Sequence, residues 1–172
     1  MKKIVFIITV ITVIIGVLLI QIGGSFVTQK PDQSIAQTNT LGIGDHSRAL
    51  MVNGLKRTYL VHVPKSYNGS QPYPVVLVFH GGGSNAKQAI SSFGLNETAD
   101  KDNFIAVYPN GTGWTIQGYE VFVWNGGLRQ PGGTSSDIAK VDDVGFTKAL
   151  LDDLAKVVRT DEKRIYATGL SG

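Results

Sequence analysis

The 172-residue chain contains no cysteine. That excludes a disulfide framework, a thiolate metal site and a cysteine nucleophile. Charge is sparse, with Asp, Glu, Lys and Arg making up 17% of residues. The 16 Lys and Arg exceed the 13 Asp and Glu, but Lys2 and Lys3 belong to a targeting-type segment, and without them the balance is 14 against 13. So even a balance leaves no electrostatic footprint for nucleic acid, which is excluded as a partner. Histidine is also scarce, at His46, His62 and His80 only. Glycine is what the chain has in quantity, 21 residues in all. The glycines cluster between apolar runs without a collagen-like period, so they read as turn chemistry in an ordered fold. With 42% apolar residues, the chain can build one domain around its own core.

Met1-Lys2-Lys3 precedes an uncharged, apolar run over residues 4–22, the pattern of an export signal. The run exceeds the usual hydrophobic region of about 7–15 residues and approaches the roughly 20 that span a bilayer. Residues 1–25 are therefore expected to be a signal peptide or an uncleaved signal-anchor helix. Residues 26–46, rich in Gln, Ser, Thr and Asn, are expected to be a flexible linker. The folded part is expected from 47 to 172, secreted or held on the outer face of the cytoplasmic membrane.

Within that part, residues 48–52 and 55–63 flank Asn53-Gly54, a two-residue hairpin signal. Residues 74–79 are apolar on both faces, as a central parallel strand should be. Weaker helical periodicity over 85–102 is consistent with two short helices broken at Gly94. Residues 104–108 form a second buried strand, ended by Pro109-Asn110-Gly111, and a long glycine-rich loop is expected over 109–140. Asp142 or Asp143 caps a helix with an apolar face of Val144, Ala149, Leu150, Leu151, Leu154, Val157 and Val158. Asp152-Asp153 and Asp161-Glu162 read as solvated helix ends, with a turn at Asp161 and a third buried strand at 164–168. The alternation of strand and helix predicts an α/β fold, a parallel-rich sheet with helices on both faces.

Two glycine-rich turns follow strands: His80-Gly81-Gly82-Gly83 and Gly169-Leu170-Ser171-Gly172. In an open α/β sheet, sites form at the carboxyl ends of strands. Gly-x-Ser after a strand is the front of a nucleophile elbow, with Ser171 at its tip; a plain strand-ending turn is the alternative. The His-Gly-Gly-Gly turn favours the elbow, because a tetrahedral acyl intermediate needs preorganised N–H donors. Residues 81–86 also fit a dinucleotide-binding glycine pattern. The next strand, however, ends in Tyr108-Pro109-Asn110, with no acidic residue for a ribose hydroxyl. No Gly-Lys-Ser/Thr is present either.

Six pieces then occur in order: 57–64 (RTYLVHVP), 78–83 (VFHGGG), 106–111 (AVYPNG), 124–127 (WNGG), 141–146 (VDDVGF) and 164–171 (RIYATGLS). On these pieces the chain resembles the secreted polyhydroxybutyrate depolymerase and feruloyl-esterase-like family of α/β-hydrolases. The resemblance implies an exported serine esterase acting on polyesters or acylated polysaccharides by acyl-enzyme chemistry, without metal or organic cofactor. It implies Ser171 as nucleophile, with oxyanion donors at Gly82 (or Gly81) and Gly172. His80 is then structural. The acid and histidine of such a triad follow the serine, so the chain is expected to be the N-terminal part of a longer enzyme, and His46, His62 and His80 are not the catalytic base. Trp114, Tyr119, Phe122 and Trp124 form either an aromatic platform for substrate or packing beneath the loop. Other readings are a feruloyl or acetyl xylan esterase, and a non-catalytic polymer-binding module on a degraded hydrolase fold.

Overall fold

The computed structural model describes residues 40–126 and 140–171. The expected signal or anchor segment, the linker up to residue 39 and the oxyanion candidate Gly172 lie outside the described residues. Among the described residues no helix is long and apolar enough to cross a membrane.

The first two strands, β1 (Gly44–Val52) and β2 (Leu55–Val63), pair antiparallel from Gly44↔Val63 to Val52↔Leu55. Asn53 and Gly54 take φ of 49° and 79° at the turn, the left-handed pair that matches the twist of a two-residue hairpin. β1 begins at Gly44, earlier than the expected 48 and ahead of the expected domain start at 47. Its polar first residues hide it, because their partners lie elsewhere in the fold: Asp45 bonds the His62 ring at 2.6 Å.

The sheet continues with β3 (Tyr73–Phe79), β4 (Ile105–Pro109) and β7 (Thr160–Gly169) in the order β1-β2-β4-β3-β7. The β2–β4 contact is antiparallel, while β4–β3 and β3–β7 are parallel. Alternation along β3 and β4 divides the core in two. Val75, Leu77, Ile105 and Val107 face one layer with Phe146, Leu150 and Leu154 of α3 (Asp143–Val157). Val78, Ala106 and Tyr108 face the other with Ala86 and Ala89 of α1 (Ala86–Phe93) and Ala99 of α2 (Leu95–Asp102). Strands apolar on both faces require such cover on both sides. Gly94, at φ 62°, breaks α1 from α2 as expected. Asp142 caps α3 by accepting the Gly145 N–H at 2.7 Å.

Four expectations about the second half are corrected. The 109–140 segment contains a hairpin, β5 (Thr112–Ile116) and β6 (Tyr119–Val123), turned by Gln117 and Gly118 at φ 48° and 85°. Asp161 and Glu162 lie within β7, not in a turn, and Asp161 accepts the Lys163 N–H while pairing with Arg164 at 2.7 Å. Residues 164–168 are not buried either: β7 pairs with β3 alone among the described residues, and Tyr166 is 56% exposed. Asp153, expected in solvent, accepts both the Tyr59 hydroxyl and Arg48 Nε at 2.7 Å. The Arg48 bond holds its carboxyl below the ordinary range.

Candidate active site

β3 and β7 run parallel, with Phe79 opposite Gly169, so both glycine-rich turns leave the sheet side by side at its carboxyl edge. A Cβ on Gly169 would sit 2.9 Å from Phe79 O. Only glycine lets the two strands close at this point. Two residues on, the exposed Ser171 has φ 45°. A left-handed serine at a strand end is strained, as a nucleophile elbow would require.

The facing turn is built to meet it. A Cβ on Gly81 would lie 3.0 Å from Leu170 O and 3.1 Å from Ser171 O, so this glycine is set by the approach of residues 170–171. The Gly82 N–H donates to Ser171 O at 3.0 Å. The left-handed residue of the turn is Gly83, with φ 78°, and not Gly82, around which a Cβ would meet nothing. The structure thus brings Gly81, Gly82 and Ser171 together. Beside them, Phe79, His80, Trp124, Gly126, Gly169, Leu170 and Ser171 line a cleft of about 420 Å³, to which Gly81 and Gly82 do not contribute.

His80 is 1% exposed and both ring nitrogens are engaged. Nε2 accepts the Gly111 N–H at 3.0 Å, so the ring proton is on Nδ1, which donates to Gly81 O at 2.8 Å. Burial holds its pKa below the ordinary histidine value, which favours this neutral tautomer. With its carbonyl held by His80, the Gly81–Gly82 peptide points its N–H the opposite way, toward the elbow. His80 is therefore a structural residue, as expected. His46 bonds Gly42 O, and His62 lies between Asp45 and Asp100, so neither is at Ser171.

The other sequence pieces meet behind this turn. The Trp124 indole donates to His80 O at 2.8 Å, and its ring lies 4.9 Å from the His80 ring and 5.2 Å from Phe79. Asn110 accepts the Ala86 N–H at 2.7 Å and donates to Thr58 Oγ1 at 2.9 Å. Of the aromatic set, Trp124 and Phe122 pack against His80, whereas Trp114 and Tyr119 are 45% and 74% exposed. Sequence reasoning missed Arg57, which is 3% exposed and pairs with Asp143 at 2.7 Å. A charged residue at an inward strand position was the available signal. Asp142 is the cap and Asp143 the partner of Arg57, and neither lines the cleft.

No family model matches the sequence. It is 29% identical over 128 residues to "Putative esterase NocK" of Nocardia uniformis subsp. tsuyamanensis, a match that covers 73% of this chain and 33% of that protein. In structure it is similar to an S-formylglutathione hydrolase from Agrobacterium tumefaciens, with a TM-score of 0.56 and 15% identity over 76% of this chain and 50% of the other. It is also similar to a ferulic acid esterase, with a TM-score of 0.52 and 23% identity over 76% and 52%. The chain thus spans about half the length of these solved structures and a third of that of the curated relative. Strand order, crossover pattern and these likenesses agree: the chain has the α/β-hydrolase fold and is similar to esterases of that fold.

Proposed function

We propose that the protein is a serine hydrolase of carboxylic esters working through an acyl-enzyme. One observation carries the reading: a serine in left-handed conformation at the end of β7, met by a glycine turn whose Gly82 N–H is aimed at it. Ser171 Oγ attacks the ester carbonyl, an acid–histidine pair supplied after the elbow takes the serine proton and passes it to the departing alcohol, and water then hydrolyses the acyl-enzyme to release the acid and restore the serine. The Gly82 N–H, with that of Gly172, steadies the oxyanion. For this the Ser171 carbonyl, which now accepts the Gly82 N–H, must turn away. An elbow that runs on into a helix does that, since helix carbonyls point away from the N-terminus.

Phe79, Trp124 and Leu170 beside Ser171 suit an ester with an apolar acyl group. A polyester of the polyhydroxybutyrate type fits the resemblance of the sequence pieces, and feruloyl or acetyl groups on polysaccharide are the alternative substrates. The apolar 4–22 run after Lys2-Lys3 supports an exported or membrane-anchored enzyme, which such polymers require.

Full-length protein is expected to hydrolyse p-nitrophenyl butyrate and to take a fluorophosphonate label at Ser171. Ser171→Ala should abolish both while leaving the thermal transition unchanged. Label retained in Ser171→Ala would overturn the assignment of the nucleophile. An unlabelled wild type that binds polymer would favour the non-catalytic module.

A further inference from the structure

We infer that the Arg57–Asp143 pair is a positioning device for the oxyanion turn; this rests on the esterase reading above. Neither side chain reaches Ser171, yet the two close a circuit of contacts around the root of the turn. Arg57 Nη2 donates to Asp143 Oδ1 at 2.7 Å and to Asn110 O at 3.2 Å. The next residue, Gly111, gives its N–H to His80 Nε2. His80 O accepts the Trp124 indole N–H, and the following residue, Asn125, donates its backbone N–H to Asp143 Oδ2 at 2.6 Å. The circuit therefore runs Arg57, Asn110-Gly111, His80, Trp124-Asn125, Asp143 and back to Arg57. Its output is the His80 Nδ1–H, which fixes Gly81 O and with it the direction of the Gly82 N–H.

The circuit joins elements that no single strand pairing holds together: β2, the end of β4, the turn after β3, the end of β6 and the start of α3. A cation–carboxylate pair is suited to this junction. Charge-assisted bonds are short and directional, and the guanidinium is further held 4.0 Å above the Phe146 ring. Arg57 is 3% exposed, and its Nε has no hydrogen-bond partner among the described residues. Only a fixed orientation that serves Asp143 and Asn110 together compensates so buried a charge. The pair acts through His80 and Trp124 and touches no substrate.

The test uses full-length protein and two variants. Asp143→Asn weakens the charge-assisted corner of the circuit. Trp124→Phe keeps an aromatic ring but removes the N–H to His80 O, and is the variant that should fold even if Asp143→Asn does not. The expectation for both is a kcat lowered about 10- to 100-fold, the scale of a mispositioned catalytic group. KM for p-nitrophenyl butyrate should stay within about threefold in Asp143→Asn; Trp124 is also a wall of the cleft, so Trp124→Phe is read by kcat and ketone affinity. Affinity for a trifluoromethyl ketone, whose adduct carries the oxyanion, should fall in parallel with kcat. An unchanged kcat in folded Trp124→Phe, a loss confined to KM, or ketone affinity independent of kcat would overturn the inference. Failure of the wild type to hydrolyse the ester would instead overturn the functional reading on which it rests.

Discussion

The three consecutive glycines of the first turn carry different constraints, and substitution should separate them. Gly83 occupies φ 78°, so Gly83→Ala should cost about 1–3 kcal/mol in chemical unfolding, the usual strain of a left-handed non-glycine residue. Around Gly82 a Cβ meets nothing, so Gly82→Ala should leave the unfolding midpoint unchanged. Gly81 is limited by the approach of Leu170 O and Ser171 O; Gly81→Ala should shift the elbow and lower kcat about tenfold or more. Next to them, His80 adds a pH dependence. Burial lowers its folded pKa below the ordinary 6.5, so on acidification the unfolded chain takes up the proton first. The stability of the neutral ring is complete above that ordinary value and is lost as pH falls through the lowered folded one. Melting temperatures between about pH 5 and 8 should therefore show an acid-side decline that is smaller in His80→Gln. Equal declines in both proteins would show that the His80 ring is not the group responsible.

At the scale of elements, α3 both closes one core layer and supplies the corner of the circuit behind the site. Leu150 and Leu154 are fully buried against the sheet, so Leu150→Ala should cost about 2–5 kcal/mol through the cavity it leaves. Asp142→Ala should cost about 1 kcal/mol through the lost cap. Both are measurable by denaturant titration, and the cap variant should retain ester turnover because Asp142 lies outside the circuit. The two hairpins show why one was readable and the other not. Asn53-Gly54 names residues that tolerate positive φ, whereas Gln117, at φ 48°, does so rarely. The β5–β6 hairpin is pinned to the glycine turn by Gly83 N–H to Phe122 O at 2.8 Å and Phe122 N–H to Ser84 O at 3.0 Å.

At the scale of the molecule, we propose that residues 1–30 carry an export address and 40–171 the chemistry. The described residues fill two core layers from β1–β4 and α1–α3. Deleting residues 1–30 from the full-length protein should therefore leave the circular dichroism per folded residue unchanged. Expressed in a bacterial host, the intact protein should be recovered outside the cytoplasm and the deletion inside it. Collapse of secondary structure on deletion would show that the segment belongs to the core, and cytoplasmic recovery of the intact protein would overturn export.

Local chemistry by itself determined the fold class, the first hairpin, the helix break at Gly94, the cap at the start of α3 and the position of both glycine turns. Each of these is decided within a few residues, by φ preference, by capping or by apolar periodicity. The Gly-x-Ser and His-Gly-Gly-Gly patterns likewise pointed to Ser171 and Gly81-Gly82 before any geometry was known. Only the tertiary structure decided which glycine is left-handed, which is limited by close approach, and which way the Gly82 N–H faces. It alone paired Arg57 with Asp143 across 86 residues of sequence and drew Asp153 to Tyr59 and Arg48. Such pairings depend on which strands and helices become neighbours, and a charged residue in a strand carries no mark of its partner until the sheet order β1-β2-β4-β3-β7 sets the two side by side.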